Sequence, residues 1–195
     1  MAVVAAGDDA DRTRRFRDAA LPHLDDVYTV ARYMLRSAAD ADDAVQECYL
    51  RAFRHFDGFR GEAIKPWLLA ILRNVCHAEF ARRSGLLAVG GQADVAEDAS
   101  PLWQEETHTA ETELLRREDA ERLRGLVAAL PDPFREAIVL RDINDLSYRD
   151  IARVTGAPVG TVMSRIARAR GMLREAWLKP EPEEPCGERH EETCK

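Results

Sequence analysis

At 195 residues the chain has room for one domain or two small ones. Charged residues make up 32% and hydrophobic residues 46%, which excludes both a wholly disordered chain and one built to live inside a membrane. Lys plus Arg is 28 against 35 for Asp plus Glu, and the resulting net charge of −7 excludes a uniformly basic nucleic-acid coat while leaving room for a local basic face.

Val3 to Ala6 is a brief apolar patch followed by Asp8, Asp9 and Asp11, which is not the pattern of a signal peptide. Apolar runs such as Trp67 to Leu72 fall far short of the roughly 20 residues that cross a bilayer. The expectation is a cytoplasmic protein without membrane insertion. Four cysteines are too few for a disulfide scaffold. Cys48 and Cys76 lie in apolar-periodic stretches, whereas Cys186 and Cys194 lie in a polar tail.

Strand signals are nearly absent and helical periodicity is everywhere. A first helical stretch is expected over Arg12 to Arg36, broken or restarted at Pro22. Between Asp42 and Phe56 the apolar positions Val45, Tyr49, Ala52, Phe53 and Phe56 recur at three and four residues. Asp40, Asp42 and Asp43 precede that stretch, where they suit the positive end of a helix dipole. From Pro66 to Arg83 the set Leu68, Ile71, Leu72, Val75 and Phe80 repeats the pattern, with Pro66 placed for a first turn. Periodicity then fades across a segment carrying Gly85, Gly90, Gly91 and Pro101 among Asp94, Glu97, Asp98, Glu105 and Glu106, and resumes from Glu111 to Trp177. Pro and Glu dominate beyond Lys179. The expected architecture is all-α: two small helical domains at residues 12–84 and 111–178, a flexible linker at 85–110, and a disordered tail at 179–195.

Ser147 to Arg174 carries the sharpest local signal. Ser147 can cap a helix, with Asp150 three residues on where a capping box usually has Glu. Ile151, Ala152 and Val154 supply an apolar side, and Gly156 stands where a tight turn needs positive φ. A second helix follows Ala157 and Pro158 with Val162, Ile166 and Leu173 inward. A small residue where helices touch (Ala152), a turn glycine (Gly156) and an apolar anchor (Val162) make a helix-turn-helix.

Charge indicates what this unit touches. Arg149, Arg153, Arg165, Arg168, Arg170 and Arg174 stand against the single acid Asp150, a basic element in an acidic protein. A helix fits the DNA major groove with its N-terminal half at the base edges. Thr161, Ser164, Arg165 and Arg168 are the candidate readers, Ser164 and Arg168 sharing a face four residues apart. Arg149 and Arg153, on the preceding helix, are placed to hold phosphates. The other reading is a solvated Arg-rich hairpin with no nucleic-acid partner, and a helix-turn-helix alone assigns no role, since repressors, activators and polymerase subunits all carry one.

Four stretches narrow the role. They are residues 40–53, 59–63 with 67–74, 130–141 and 160–170, and through them the chain from about Leu24 to Trp177 resembles the extracytoplasmic-function sigma factors of bacterial RNA polymerase. Asp-Ala-Asp-Asp-Ala-Val-Gln-Glu-Cys-Tyr-Leu-Arg-Ala-Phe (40–53) is similar to the family's core-polymerase-binding segment. Phe-Arg-Gly-Glu-Ala (59–63) with Trp-Leu-Leu-Ala-Ile-Leu-Arg-Asn (67–74) is similar to its reader of the −10 element. Leu-Pro-Asp-Pro-Phe-Arg-Glu-Ala-Ile-Val-Leu-Arg (130–141) resembles the opening of its second domain, and Gly-Thr-Val-Met-Ser-Arg-Ile-Ala-Arg-Ala-Arg (160–170) its −35 recognition helix.

The resemblance implies a non-enzymatic initiation subunit that holds core RNA polymerase through the β′ coiled coil and β flap and reads two promoter elements, restrained by an anti-sigma factor or by its own tail. It requires no cofactor. Asp43, Gln46 and Glu47, which fall on one helical side, together with Phe53 would meet the polymerase; a merely solvated face is the alternative for the carboxylates. Phe59, Arg60, Gly61 and Asn74 would serve the −10 element within and beside a loop from Asp57 to Lys65, with Trp67 packed behind, and Arg82 and Arg83 would hold upstream phosphates. Pro66 before the tryptophan, Lys65 and Ala78 depart from the usual pattern, so base preference is not transferable.

Cys186, His190 and Cys194 have the spacing Cys-x3-His-x3-Cys, a donor set that suits zinc or copper. One straight helix would separate the two cysteines by about 12 Å, so a site needs the tail to fold back. A fourth ligand could come from Glu188, Cys76 or His77. An inert tail is the alternative. A stand-alone DNA-binding regulator is a rival to the initiation subunit, although it would leave the first helical unit without a task. An enzyme is a third reading, for which no His-Glu-x-x-His, phosphate loop or nucleophile constellation is present.

Overall fold

The computed structural model describes residues 3–61, 63–87 and 110–179, with side chains at 9–61, 63–82 and 118–179. Among the described residues every regular element is helical: α1 (Val3–Ala20), α2 (Leu24–Leu35), α3 (Ala38–His55), α4 (Ile64–Leu87), α5 (Ala110–Ala129), α6 (Asp132–Ile138), α7 (Tyr148–Thr155) and α8 (Val159–Leu178). Of the linker expected at 85–110, residues 85–87 instead continue α4 and Ala110 opens α5, while residues 88–109 and the tail from residue 180 lie outside the described residues.

Local chemistry accounts for the boundaries. α1 starts at Val3 rather than near Arg12, because its alanine-rich opening favours helix without any apolar stripe. The break at Pro22 is a single 3-10 turn over Leu21–His23. Asp25 and Asp26 occupy the first turn of α2, and Arg36 ends that helix in the left-handed region at φ 63°. α3 starts earlier than its apolar spacing suggested. Ser37 is its N-cap, its hydroxyl accepting from the Asp40 amide at 3.3 Å, so Asp40 sits in the first turn and Asp42 and Asp43 lie inside the helix.

The first unit buries Val27, Val30, Ala31 and Met34 of α2 against Ala41, Ala44, Cys48 and Ala52 of α3 and Leu68, Leu72 and Cys76 of α4. The small residues on α3 let its backbone approach its neighbours, while the leucines of α4 fill the remaining volume. Phe16 of α1 closes one end, its ring edge-on to Phe53 and Phe56 at 5.3 and 5.2 Å between centroids. Tyr49 donates its hydroxyl proton to the Ala20 carbonyl at 3.0 Å, and burial pushes that phenol up from its ordinary value.

In the second unit Val127, Leu130, Ile138, Leu140, Ile151, Val154, Val162 and Ile166 share the core. Arg135 is buried at its rim, donating to the Ala128 and Leu130 carbonyls at 3.1 and 2.8 Å and pairing with Asp132. It caps the end of α5, and burial pushes its guanidinium down from its ordinary value. A π-type turn over Val139–Ile143 ends α6, with Asn144 donating to Val139 through both its amide and its side chain. No periodicity announced this widening.

The two units pack on each other. α4 lies along α7, and α2 meets α5 and α6. Arg36 donates to the Ala128 carbonyl at 2.6 Å across this boundary.

Candidate nucleic-acid interface

Ser147 caps α7 as its spacing predicts, its hydroxyl oxygen accepting from the Asp150 amide at 3.1 Å. The reciprocal half of a capping box is absent. The shorter Asp150 carboxylate instead accepts a hydrogen bond from the Ser147 hydroxyl at 2.6 Å. Gly156 ends α7 at φ +67° with open space where a Cβ would stand, so backbone conformation rather than crowding calls for glycine. Ile151 and Val154 of α7 and Val162, Ile166 and Ala169 of α8 are buried, fixing the pair as a helix-turn-helix.

The candidate readers divide on α8. Ser164 and Arg168 are exposed, and Arg168 makes no ion pair among the described residues. Thr161 is half-buried, its carbonyl accepting from the Ser164 hydroxyl at 2.9 Å. Arg165 turns away from them and lines a cleft of about 360 Å³ between the two units, whose other walls include Arg73, His77 and Glu136. Arg149 is exposed, and Arg153 is exposed beside Asp150 at 3.3 Å. Arg170 is committed elsewhere, its guanidinium holding Asp142 through two bonds of 3.0 and 2.6 Å.

The loop candidates form a local group. Phe59 stacks at a tilt on Trp67, 4.9 Å between centroids, and both rings are half-buried. A Cβ on Gly61 would stand 2.7 Å from the Phe59 ring, which explains the glycine. The loop is pinned at both ends, Asp57 to Arg12 at 2.9 Å and Lys65 to Asp26 at 2.9 Å. Arg60 donates to the Asp57 carbonyl at 2.9 Å. Asn74 is exposed on α4. Arg82 is not a free cation, since Glu79 binds its Nε at 2.9 Å and raises its pKa. The side chain of Arg83 lies outside the described residues.

On α3, Asp43 and Gln46 are exposed, while Glu47 accepts from Arg51 at 2.6 Å. Leu50 completes that row and is 46% exposed. Its spacing of seven from Asp43 places it on the same helical side, an apolar residue on a polar face. Phe53 is half-buried, with the Arg12 guanidinium 4.7 Å above its ring.

Cys186, His190 and Cys194 lie outside the described residues. Cys76, weighed as their fourth ligand, is fully buried, and burial pushes its thiol up to about 12. It cannot reach an ion held by the tail without opening the core. Among the described residues there is no group of three or more metal-ligating side chains, and no helix is long and apolar enough to cross a membrane.

Residues 20–85 match the family described as Sigma-70 region 2, and residues 120–173 that described as Sigma-70, region 4. The chain is 37% identical over 153 residues to the ECF RNA polymerase sigma-E factor of Haemophilus influenzae, covering 74% of this chain and 77% of that one. It is 36% identical over 151 residues to the ECF RNA polymerase sigma-E factor of Escherichia coli strain K12, covering 72% and 74%. Among solved structures it is similar to the sigma factor RpoE in complex with the anti-sigma factor NepR from Bartonella quintana. The TM-score there is 0.71 at 25% identity, over 84% of this chain and 97% of that one.

Proposed function

The chain belongs to the extracytoplasmic-function sigma factors of bacterial RNA polymerase, and from that premise we propose how its two helical units divide the work of directing transcription initiation. The face of α3 carrying Asp43, Gln46 and Glu47 holds core polymerase, with Phe53 at its edge. The loop carrying Phe59, Arg60 and Gly61, with Asn74 behind it, takes an unstacked base of the −10 element, and Arg82 and Arg83 follow the upstream phosphates. α8 lies in the major groove of the −35 element with Ser164 and Arg168 at the base edges, and α7 sets Arg149 and Arg153 against phosphates. Nucleotidyl transfer belongs to the polymerase.

The observation that carries this reading is Arg168: an exposed guanidinium without an ion pair among the described residues, on the outward face of the second helix of a helix-turn-helix, in a chain of net charge −7. A bare cation in an acidic protein is what a phosphate-lined groove neutralises. The stand-alone regulator is not favoured, because the match to Sigma-70 region 2 gives the first unit its own task.

Restraint by an anti-sigma factor belongs to the same proposal and is supported by the sigma factor of similar fold that is held by one. So does a zinc or copper ion on Cys186, His190 and Cys194, whose thiolates and imidazole have the right softness. The experiment is run-off transcription with purified core polymerase on a genomic library, with and without zinc or copper. Promoter-specific initiation is expected. Initiation no different from core polymerase alone refutes the assignment, and identical output with and without metal in the Cys186→Ser, Cys194→Ser variant and the parent removes the metal.

A further inference from the structure

The outward side of α8 is not what a solvated helix face requires. Turning at about 100° per residue, the helix sets Val162, Ile166, Ala169 and Leu173 toward the core, so its opposite side centres on Gly160, Ser164, Ala167 and Gly171. These side chains are all small. A Cβ added at Gly160 or Gly171 would meet nothing within 4 Å, so packing within the chain does not demand either glycine. Gly171, inside the helix, lowers its stability relative to alanine. A helix that pays this without internal return is shaped for a surface that comes close to its backbone.

The two flanks of that small row differ. One carries Arg168. The other carries Val159 and Met163, one turn apart, which are 39% and 52% exposed, followed toward the C-terminus by Arg170, which is held by Asp142, and Arg174. Two large apolar side chains standing in water at the N-terminal end of a recognition helix need an apolar counterpart in an otherwise anionic partner. The major groove has one, because thymine alone among the bases presents a methyl group there. We propose that Met163 reads the 5-methyl group of a thymine in the −35 element, on the flank of α8 opposite Arg168, with Val159 against the same apolar spot. This rests on the reading of α8 as the −35 recognition helix.

The geometry also fixes a pairing. Arg168 presents a fork to guanine on one side of the helix while Met163 meets thymine on the other, so the element holds both within the few base pairs that α8 spans. Because Met163 lies outside the core, its truncation leaves the fold intact and changes only the reading.

The test uses the full chain with core polymerase and a promoter selected by run-off transcription from a library randomised across the −35 element. Each thymine is replaced singly by deoxyuridine, which keeps pairing and removes only the methyl group, and the affinity of the holoenzyme is measured. At one thymine the replacement weakens binding about fourfold, the factor that one buried methyl group supplies. Met163→Ala weakens binding to the thymine promoter by a similar factor and is then indifferent to deoxyuridine, whereas Met163→Leu keeps the sensitivity. Selected elements without thymine, no position where the methyl matters, or a sensitivity that survives Met163→Ala each overturn the proposal. Arg168→Ala separates the two levels. If it and scrambling of the −35 element both leave affinity unchanged, α8 is not the reader and the premise falls too; if both weaken binding while no methyl matters, the methyl contact alone is wrong.

Discussion

Arg73 of α4 donates its Nε proton to Glu136 Oε1 of α6 at 2.6 Å, joining the two helical units through residues 63 apart in sequence. The Glu136 side chain is only 8% exposed, and His77 stands 4.0 Å from the same oxygen. A carboxylate taken this far out of water must be paired, and Arg73 is its nearest cation. Glu136→Ala therefore leaves Arg73 without its acceptor at the boundary and is expected to destabilise the chain by about 2–3 kcal/mol. Glu136→Gln, still able to accept from Arg73, should recover part of that loss in urea unfolding.

Arg168→Ala should lower holoenzyme affinity for a cognate promoter about tenfold or more, within the range of a lost bidentate base contact. Polymerase binding measured by gel filtration should be unchanged, since the side chain is exposed and remote from α3. Loss of polymerase binding in this variant would contradict the division of labour between the units.

Asp43→Ala with Gln46→Ala should weaken association with core polymerase while leaving thermal stability within about 0.5 kcal/mol, as for exposed substitutions generally. Both side chains are exposed on α3. Unchanged association would move the polymerase contact off this helix.

Gly156→Ala should destabilise the second unit by about 1–2 kcal/mol, because φ +67° forces a side chain into the left-handed region. Open space around the position rules out a clash as the cause. Ser147→Ala should cost about 1 kcal/mol through loss of the cap on α7. Chemical denaturation reads both.

Burial pushes the Cys48 and Cys76 thiols up to about 12 from an ordinary value of 9.0. In the Cys186→Ser, Cys194→Ser background, iodoacetamide at pH 8 should leave the folded chain unmodified and label both thiols on unfolding. The sign of the linkage follows from the raised folded values. The protonated thiols are favoured in the folded state, so their contribution is complete below about pH 9 and is lost as pH climbs toward 12. Stability measured across that window should fall.

The helix-turn-helix was legible from residue order because its determinants act over three to five positions. Ser147 reaches Asp150, Gly156 relieves its own φ, and Val162 and Ile166 lie one turn apart. The break at Pro22 and the burial of Leu68 and Leu72 are of the same kind. Where a cap stood outside the apolar pattern, as Ser37 does for α3, spacing alone placed the boundary late.

What packing decided is which way shared residue types point. Arg165 and Arg168 are three apart on one helix and alike in sequence, yet Arg165 lines the cleft that Arg73 also lines and Arg168 faces solvent, because α2 and α4 of the first unit form the far wall of that cleft. Phe59 folds over Gly61 onto Trp67, Arg36 reaches the Ala128 carbonyl 92 residues away, and Met163 stays bare. Residue order carries the short-range terms that make each helix. Desolvation and ion pairing between distant segments depend on which surfaces meet, and only the assembled fold supplies that information.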